Sequence, residues 1–185
     1  APEYTLAKAG NAFRKTTGGM EFEVMGELEY YVIAPKEDMY LPADQRGYHN
    51  STPFCKFENF RTEAMKLIAE AGGLIKYGHS EVGNFTLGDL MYEQNEIEFL
   101  STTLEDAADQ LVIAKWMMRE LGYQYGITVT FAPKITVGKA GSGMHVHTRV
   151  SKDGKNMYIG ENGLSEVAHK TIAGILSLAG SLTAF

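Results

Sequence analysis

The sequence predicts an α+β domain with a mainly antiparallel, curved sheet and helices packed on one face. Stretches of helical periodicity and stretches of apolar–polar alternation succeed one another along the 185 residues. Their order is helix, strand, helix, two strands, helix, strands and helix. The composition, 44% hydrophobic and 22% charged, is that of a globular chain long enough for one domain.

The first two predicted elements are a helix and a long strand. Residues 5–16 have apolar side chains at helical spacing, and Gly18 and Gly19 mark the helix end. Over 20–33 the apolar residues occupy even positions and glutamates occupy odd positions. The strand should therefore bury one face and carry a row of acids on the other.

The rest of the chain divides at glycine, proline and polar clusters. Gly72 and Gly73 are typical of a helix end. The predicted segments are an irregular excursion over 34–56, a helix over 57–71, a strand over 74–82, a loop over 83–93 and a strand over 94–100. They continue with a helix over 103–121, strands over 127–135 and 143–150, a turn over 151–156, and a helix from Ser165 that is still apolar at Phe185.

Composition also limits the possible partners and compartment. A net charge of −6 argues against nucleic acid, which requires clustered lysine and arginine. The one cysteine, Cys55, has no partner for an internal disulfide and fits a reducing cytoplasm. The apolar run over 172–180 is far shorter than the roughly 20 residues of a membrane span, and no signal peptide is apparent. We therefore expect a cytoplasmic protein without a membrane partner.

Four predicted strands each carry two metal-capable side chains at spacing i, i+2. A period of two places each pair on one strand face, about 6 to 7 Å apart. If these faces converge, the carboxylates repel one another unless divalent cations neutralise them. Carboxylate-rich sets with few histidines suit Mg²⁺ or Mn²⁺. The pairs are Glu27 and Glu29, His79 and Glu81, Glu96 and Glu98, and His145 and His147.

Each of these pairs, taken alone, also has a structural explanation. Alternating glutamates are common on a solvated strand face. His145 and His147 are compatible with a structural pair beside a turn. The glycines of Gly141-Ser142-Gly143 could serve turn geometry only. The metal hypothesis therefore depends on the joint pattern.

Four motifs resemble a known family in their order and spacing. They are "GELEYYV", "GHSEV", "YEQNEIEF" and "FAPKITVGKAGSGMHVH". Over nearly the whole chain they resemble the first half of the catalytic domain of glutamine synthetase. The resemblance implies ATP-dependent joining of glutamate to ammonia or another amine through γ-glutamyl phosphate. It also implies two divalent ions, Mg²⁺ or Mn²⁺, in each site, with ATP as a substrate.

The resemblance implies a role for each matching residue. Glu27, Glu81 and Glu96 correspond to ligands of the metal that bridges the nucleotide phosphates. Glu29 and His145 correspond to two of the three protein ligands of the metal at the acceptor site. The remaining roles are His147 at the ATP phosphates, Gly141, Ser142 and Gly143 in the loop that holds glutamate, and Tyr48 with Glu81 at the ammonium pocket.

The chain departs from the family pattern at several positions near the expected substrate. Ala140 replaces a common asparagine that contacts glutamate, Arg149 replaces a serine, and Ile135 replaces a proline. The segment 83–93 is longer than usual. The metal-site residues are intact, so these changes leave open which acid and which amine are joined.

The resemblance covers only part of a family member. The N-terminal β-grasp domain and the C-terminal half of the catalytic domain have no counterpart, so we expect residues 1–185 to be one partial catalytic domain. Family active sites lie between subunits of a homo-oligomer, so we expect these residues alone to be inactive. Two alternatives remain: a non-catalytic interaction module with this fold, and a relative of the guanidino kinases.

Overall fold

The computed structural model describes residues 1–183 as an α+β fold. The helices are α1 (Pro2–Thr16), α2 (Glu58–Glu70), α3 (Leu104–Tyr125), α4 (Glu166–Ser177) and α5 (Ala179–Leu182). The longer strands are β1 (Glu21–Pro35), β2 (Ile75–Leu87), β3 (Leu90–Phe99) and β6 (Met144–Lys152). The short ones are β4 (Thr102–Thr103), β5 (Thr128–Thr130), β7 (Lys155–Asn156), β8 (Ile159–Gly160) and β9 (Gly163–Leu164).

The main sheet has the strand order β2-β3-β1-β6-β7, and β4 and β5 also pair with β1. The pairings of β1 with β3 and of β2 with β3 are antiparallel, which confirms the predicted sheet type. Strands β8 and β9 form a separate two-stranded sheet.

The chain forms two compact units. Unit 1 contains Ala1–Val24, Thr102–Glu105 and the residues from His147 onward. Unit 2 contains Met25–Ser101 and Asp106–Val146. Strands β1 and β6 contribute residues to both units.

Unit 2 is built around the apolar face of β1. Leu28, Tyr30 and Val32 are at most 1% exposed, and residues of α2 and α3 pack against this same face. The predicted alternation along β1 is therefore confirmed here, and the intervening glutamates occupy the opposite face. The helix residues of this core are Phe60, Ala64, Ile68, Ala114, Met118 and Leu121.

Several predicted boundaries were wrong. The predicted loop over 83–93 is a hairpin whose strands β2 and β3 are joined by a turn at Gly88 and Asp89, with Gly88 at a positive φ of 59°. The glycines of this segment are typical of a loop. In addition, β2 carries an irregularity between Ser80 and Asn84, which breaks the alternation of apolar and polar residues. The strand predicted over 127–135 is reduced to β5.

Unit 1 contains α1, α4 and an apolar groove of about 670 Å³. Phe13 of α1 packs edge-on against Phe22 at a centroid distance of 5.6 Å. Ser165 begins α4 as predicted, since its hydroxyl accepts a hydrogen bond from the Ala168 amide at 3.2 Å. The predicted apolar end of this helix at Phe185 lies outside the described residues. Within residues 1–183, no helix is both long and apolar enough to cross a membrane.

Candidate metal and substrate site

The register of three antiparallel strands brings the acidic pairs of unit 2 together. In the β1–β3 ladder Glu27 lies opposite Glu98, and Glu29 lies opposite Glu96. In the β2–β3 ladder His79 lies opposite Glu96. Residues directly opposite on one face have Cβ atoms about 4.5 to 5.5 Å apart. The side chains that the alternation predicted on separate strands therefore share one surface.

One group of possible ligands contains Glu27, Glu96 and His145. Each offers a ligand atom within 4.8 Å of the others. The Nδ1 atom of His145 is 3.1 Å from Glu27 Oε2 and 4.0 Å from Glu29 Oε1. The imidazole is therefore closer to Glu27 than to Glu29, although the resemblance pairs it with Glu29.

A second group contains His79, Glu81 and Glu96, again with ligand atoms within 4.8 Å of one another. The Nε2 atom of His79 is 2.9 Å from Glu96 Oε2. Glu81 Oε2 accepts a hydrogen bond from the Val82 amide at 2.9 Å, which fixes its carboxylate beside His79. Glu96 belongs to both groups and is their common member.

The electrostatics of Glu96 reflect this crowding. Burial, the largest cause, and the nearby carboxylates together raise the pKa of its carboxyl group to about 7. These carboxylates are those of Glu81, Glu29, Glu27 and Glu98. A site that disfavours its own negative charge at neutral pH is suited to a cation. The donor set of carboxylates with two imidazoles fits Mg²⁺ or Mn²⁺.

Aromatic rings surround the imidazole of His79. The rings of His49 and Tyr77 stack on it at centroid distances of 4.4 Å and 5.4 Å. Tyr48, which was predicted to lie at an ammonium pocket, approaches it edge-on at 5.3 Å. The excursion before α2 thus reaches the carboxylate cluster, and Tyr48 is 58% exposed at its border.

The glycine loop lies against the same cluster. The Gly143 amide donates to Glu29 Oε2 at 2.6 Å, and Gln94 Nε2 donates to the Gly141 carbonyl at 2.8 Å. Gln94 Nε2 is also 3.2 Å from Glu29 Oε2. Gln94 is 1% exposed, so it is a buried link between β1 and residues 141–143.

Glycine is required at two close approaches in this region. A Cβ at Gly141 would lie 2.4 Å from the Pro133 carbonyl oxygen. A Cβ at Gly83 would lie 1.9 Å from the Tyr31 hydroxyl and 2.5 Å from Gln94 Oε1. The Pro133 carbonyl is part of the backbone, and the Tyr31 and Gln94 side chains are held by hydrogen bonds, so both positions exclude a larger residue.

The residue before the glycine loop is held by its backbone. The Ala140 amide donates to Gln45 Oε1 at 2.7 Å, and its carbonyl accepts from the Tyr31 hydroxyl at 2.9 Å. Position 140 is therefore fixed even though alanine has no side-chain amide. Gln45 lies in the excursion over 34–56, and nothing in the sequence except its polar neighbours indicated that it would contact the glycine loop.

Two predicted or divergent residues belong to unit 1. His147 is exposed on β6. Arg149 donates through Nε to Glu23 Oε2 at 2.6 Å, and the Ser151 hydroxyl donates to Glu23 Oε1 at 2.6 Å. The arginine that departs from the family pattern is thus matched by a neighbouring acid.

Sequence reasoning missed three residues of this region. Gln94, Tyr31 and Gln45 hold the glycine loop, but their types and spacing carry no ligand pattern. His79 was noted as metal-capable and received no role. The i, i+2 spacing of His79 to Glu81 was the sequence pattern that marked it. Its position opposite Glu96 follows only from the register of β2 and β3.

The fold and the carboxylate cluster define an α+β protein with a candidate divalent-metal centre. Residues 1–185 match the family model described as glutamine synthetase, catalytic domain. The chain belongs to the glutamine synthetase catalytic-domain family.

Curated relatives agree with this family. The glutamine synthetase of Methylococcus capsulatus is 36% identical over 146 residues, covering 78% of this chain and 30% of the relative. That of Pseudomonas taetrolens is 38% identical over 179 residues, covering 94% and 37%. A relative named 3-hydroxylaminophenol mutase, from Cupriavidus pinatubonensis, is 37% identical over 145 residues, covering 77% and 29%. The chain thus spans about a third of the length of these relatives.

Solved structures share the fold. Plasmodium falciparum glutamine synthetase matches with a TM-score of 0.83 at 20% identity, covering all of this chain and 41% of the matched chain. The complex of GmaS with ADP matches with a TM-score of 0.82 at 21% identity, covering all of this chain and 42% of the other. The predicted fold, of the glutamine synthetase catalytic-domain type, is confirmed.

Proposed function

We propose that this chain supplies the metal-binding part of an ATP-dependent ligase that joins glutamate to ammonia or another amine through γ-glutamyl phosphate. The observation that carries the proposal is the convergence, within unit 2, of carboxylates and imidazoles from four strands. The converging residues are Glu27, Glu29, His79, Glu81, Glu96 and His145. A solvated strand face has no need of such convergence.

Two Mg²⁺ or Mn²⁺ ions are the proposed cofactors. Divalent ions bound there would neutralise the phosphates of ATP and the charge that develops during phosphoryl transfer. The 3.1 Å separation of His145 Nδ1 from Glu27 Oε2 supports a ligand set of Glu27, Glu29 and His145 for one ion. The carboxylates of Glu81 and Glu96 are proposed for the other, together with Glu27, which the resemblance assigns to it.

The amine is proposed to bind beside Glu81 and Tyr48. A carboxylate and the face of an aromatic ring both attract an ammonium ion. Glu81 would hold the ammonium and accept its proton at a carboxylate oxygen. The ring of Tyr48 would help to exclude water from the same place.

Glutamate is proposed to bind along residues 141–143. Gly141 and Gly143 carry no side chains, and the Cβ direction of Gly141 is filled by the Pro133 carbonyl, so the rest of this backbone stays uncovered. Glu29 and Gln94 would hold the loop in position through the hydrogen bonds described above. Because Ala140 offers no side-chain amide, the acid would be recognised here by backbone groups, and a different acid would be accommodated in the same way.

His147 is proposed to approach the ATP phosphates. The remaining substrate contacts are proposed to come from parts of the full-length protein outside residues 1–185. We propose that residues 1–185 form one partial catalytic domain of a cytoplasmic homo-oligomer and have no ligase activity by themselves. The buried, free Cys55 is compatible with a reducing compartment.

The test has two arms. Isothermal titration of the 185-residue chain with Mn²⁺ should show binding that Glu96→Gln weakens at least ~10-fold. In the full-length protein containing this segment, Glu96→Ala should reduce kcat by orders of magnitude. Unchanged turnover in that variant would refute the ligase assignment. No Mn²⁺ binding by the wild-type chain would instead favour an interaction module that kept the fold.

A further inference from the structure

His79 is a buried imidazole inside the carboxylate cluster that has no assigned part in the proposed reaction. It is 6% exposed. The family resemblance implies no role for it. Its ring is held between His49 and Tyr77, which stack on it, and Tyr48, which meets it edge-on. The plane of the imidazole is therefore fixed by packing.

The surroundings of the ring decide which nitrogen carries the proton. Nδ1 is 3.1 Å from the Ser80 carbonyl oxygen and 3.7 Å from Glu81 Oε1. Both of these atoms accept hydrogen bonds. A neutral imidazole that donates from Nδ1 leaves a lone pair on Nε2.

Within residues 1–183, the charged neighbours of the Nε2 atom are carboxylates. It is 2.9 Å from Glu96 Oε2 and 3.9 Å from Glu98 Oε1. In the metal-free chain a proton shared between Nε2 and the carboxyl group accounts for the 2.9 Å separation, and a divalent ion bound by both atoms would replace that proton. Histidines that bind metals commonly donate the other ring N–H to a backbone carbonyl or carboxylate, which is the arrangement of Nδ1 here.

The distances also fit an ion. Ligands at 2.0–2.1 Å in an octahedral shell are separated by about 3 Å along each edge. The Nε2 to Oε2 distance of 2.9 Å matches such an edge, and the 3.1 Å from His145 Nδ1 to Glu27 Oε2 is similar. Each group thus contains one imidazole and one carboxylate at the spacing of neighbouring ligands.

We propose that His79, through Nε2, is a direct ligand of the divalent ion held by Glu81 and Glu96. This inference rests on the proposed metal site of the ligase. The two ions would then each have one imidazole ligand, His145 for one and His79 for the other.

Pulsed electron paramagnetic resonance of Mn²⁺ bound to the 185-residue chain tests this directly, because a coordinated imidazole gives a ¹⁴N modulation. His145→Asn removes the other imidazole and leaves His79 untouched. We expect the nitrogen modulation to persist in His145→Asn and to vanish when His79→Asn is added. His79→Asn alone should raise the Mn²⁺ dissociation constant at least ~10-fold. The matched control, His169→Asn on the exposed face of α4, should change neither quantity.

Circular dichroism establishes that each variant is folded. If His79→Asn does not fold, a variant with asparagine at 49, 145 and 147 leaves His79 as the imidazole of the cluster, and persistence of the modulation supports the proposal. Loss of all nitrogen modulation in folded, Mn²⁺-bound His145→Asn overturns it and leaves the metal site intact. Persistence after His79→Asn is added also overturns it. Absence of Mn²⁺ binding in the wild-type chain overturns the metal site itself.

Discussion

Glu93 and Glu96 are three residues apart on β3, and both side chains are buried, at 4% and 5% exposure. Their surroundings are opposite. Glu93 accepts hydrogen bonds from the Lys56 amide at 2.6 Å, the Phe57 amide at 3.1 Å and Asn95 Nδ2 at 3.2 Å. The nearest charged neighbours of Glu96 include four other carboxylates.

The carboxylates of Glu93 and Glu96 are buried for different reasons. The donors around Glu93 belong to the segment that leads into α2, so this carboxylate anchors the end of the excursion to the sheet. The buried guanidinium of Arg61, which donates to Asn95 Oδ1, belongs to the same network. Among the described residues, Glu96 lies between acids with the imidazoles of His79 and His145 nearby. A bound proton or a cation relieves the repulsion at Glu96, whereas Glu93 is already satisfied by hydrogen-bond donors.

The largest expected effect of this difference is on stability. Glu93→Ala leaves two backbone amides, the Cys55 thiol and Asn95 Nδ2 without their acceptor, so it should lower the free energy of unfolding by about 3 to 5 kcal/mol. Urea denaturation measures this. Glu120→Ala, on the exposed face of α3, should remain within about 0.5 kcal/mol of wild type. A loss below about 1 kcal/mol at Glu93 would contradict the anchoring role.

The second effect is stabilisation by metal, which should depend on Glu96. Mn²⁺ at 100 times its dissociation constant should raise the free energy of unfolding of the wild type by about 2.7 kcal/mol. Glu96→Gln should lose at least about half of this gain at the same Mn²⁺ concentration because it removes the carboxylate common to both groups. Thermal melts with and without Mn²⁺ measure both chains. An equal gain in the variant would show that Glu96 is not a ligand.

The third effect is on the pH dependence of the metal-free chain. The folded chain holds the Glu96 proton up to about pH 7, whereas the unfolded chain releases it near the ordinary value of 4.5. Unfolding between these values releases a proton, so stability should fall as the pH rises from 5 to 8. Allowing for solvent screening, the fall due to Glu96 is about 1 to 2 kcal/mol.

Subtracting the unfolding curve of Glu96→Gln from that of the wild type isolates this contribution. The free energy of unfolding of the wild type minus that of the variant should decrease as the pH rises from 5 to 8, so the variant becomes relatively more stable. A difference that is flat, or that has the opposite sign, would show that the carboxylates do not crowd Glu96 in solution.

The sequence predicted the acidic row of β1 and its buried opposite face because strict alternation needs no knowledge of the neighbours. It predicted the members of the cluster, through spacing and resemblance, before any register was known. It could not distinguish Glu93 from Glu96, since both are glutamates on one strand and only the partners in space differ. The hairpin was missed because residues 81–83 bulge from the β2–β3 ladder and break the alternation.

The smallest expected effect concerns Cys55, whose thiol donates to Glu93 Oε1 at 3.3 Å. Burial raises the pKa of this thiol to about 11, and the charge of Glu93 acts in the same direction. Cys55→Ala removes one hydrogen bond and should lower the free energy of unfolding by about 0.5 to 1.5 kcal/mol, while Cys55→Ser keeps the donor and should lower it less.

In the native wild type, the buried neutral thiol should react with iodoacetamide far more slowly than in urea. Glu93→Ala should accelerate that reaction because it frees the segment before α2, and Glu96→Gln should not. Equal acceleration by both variants would mean that the two carboxylates belong to one cooperative network and that the contrast between them is not real.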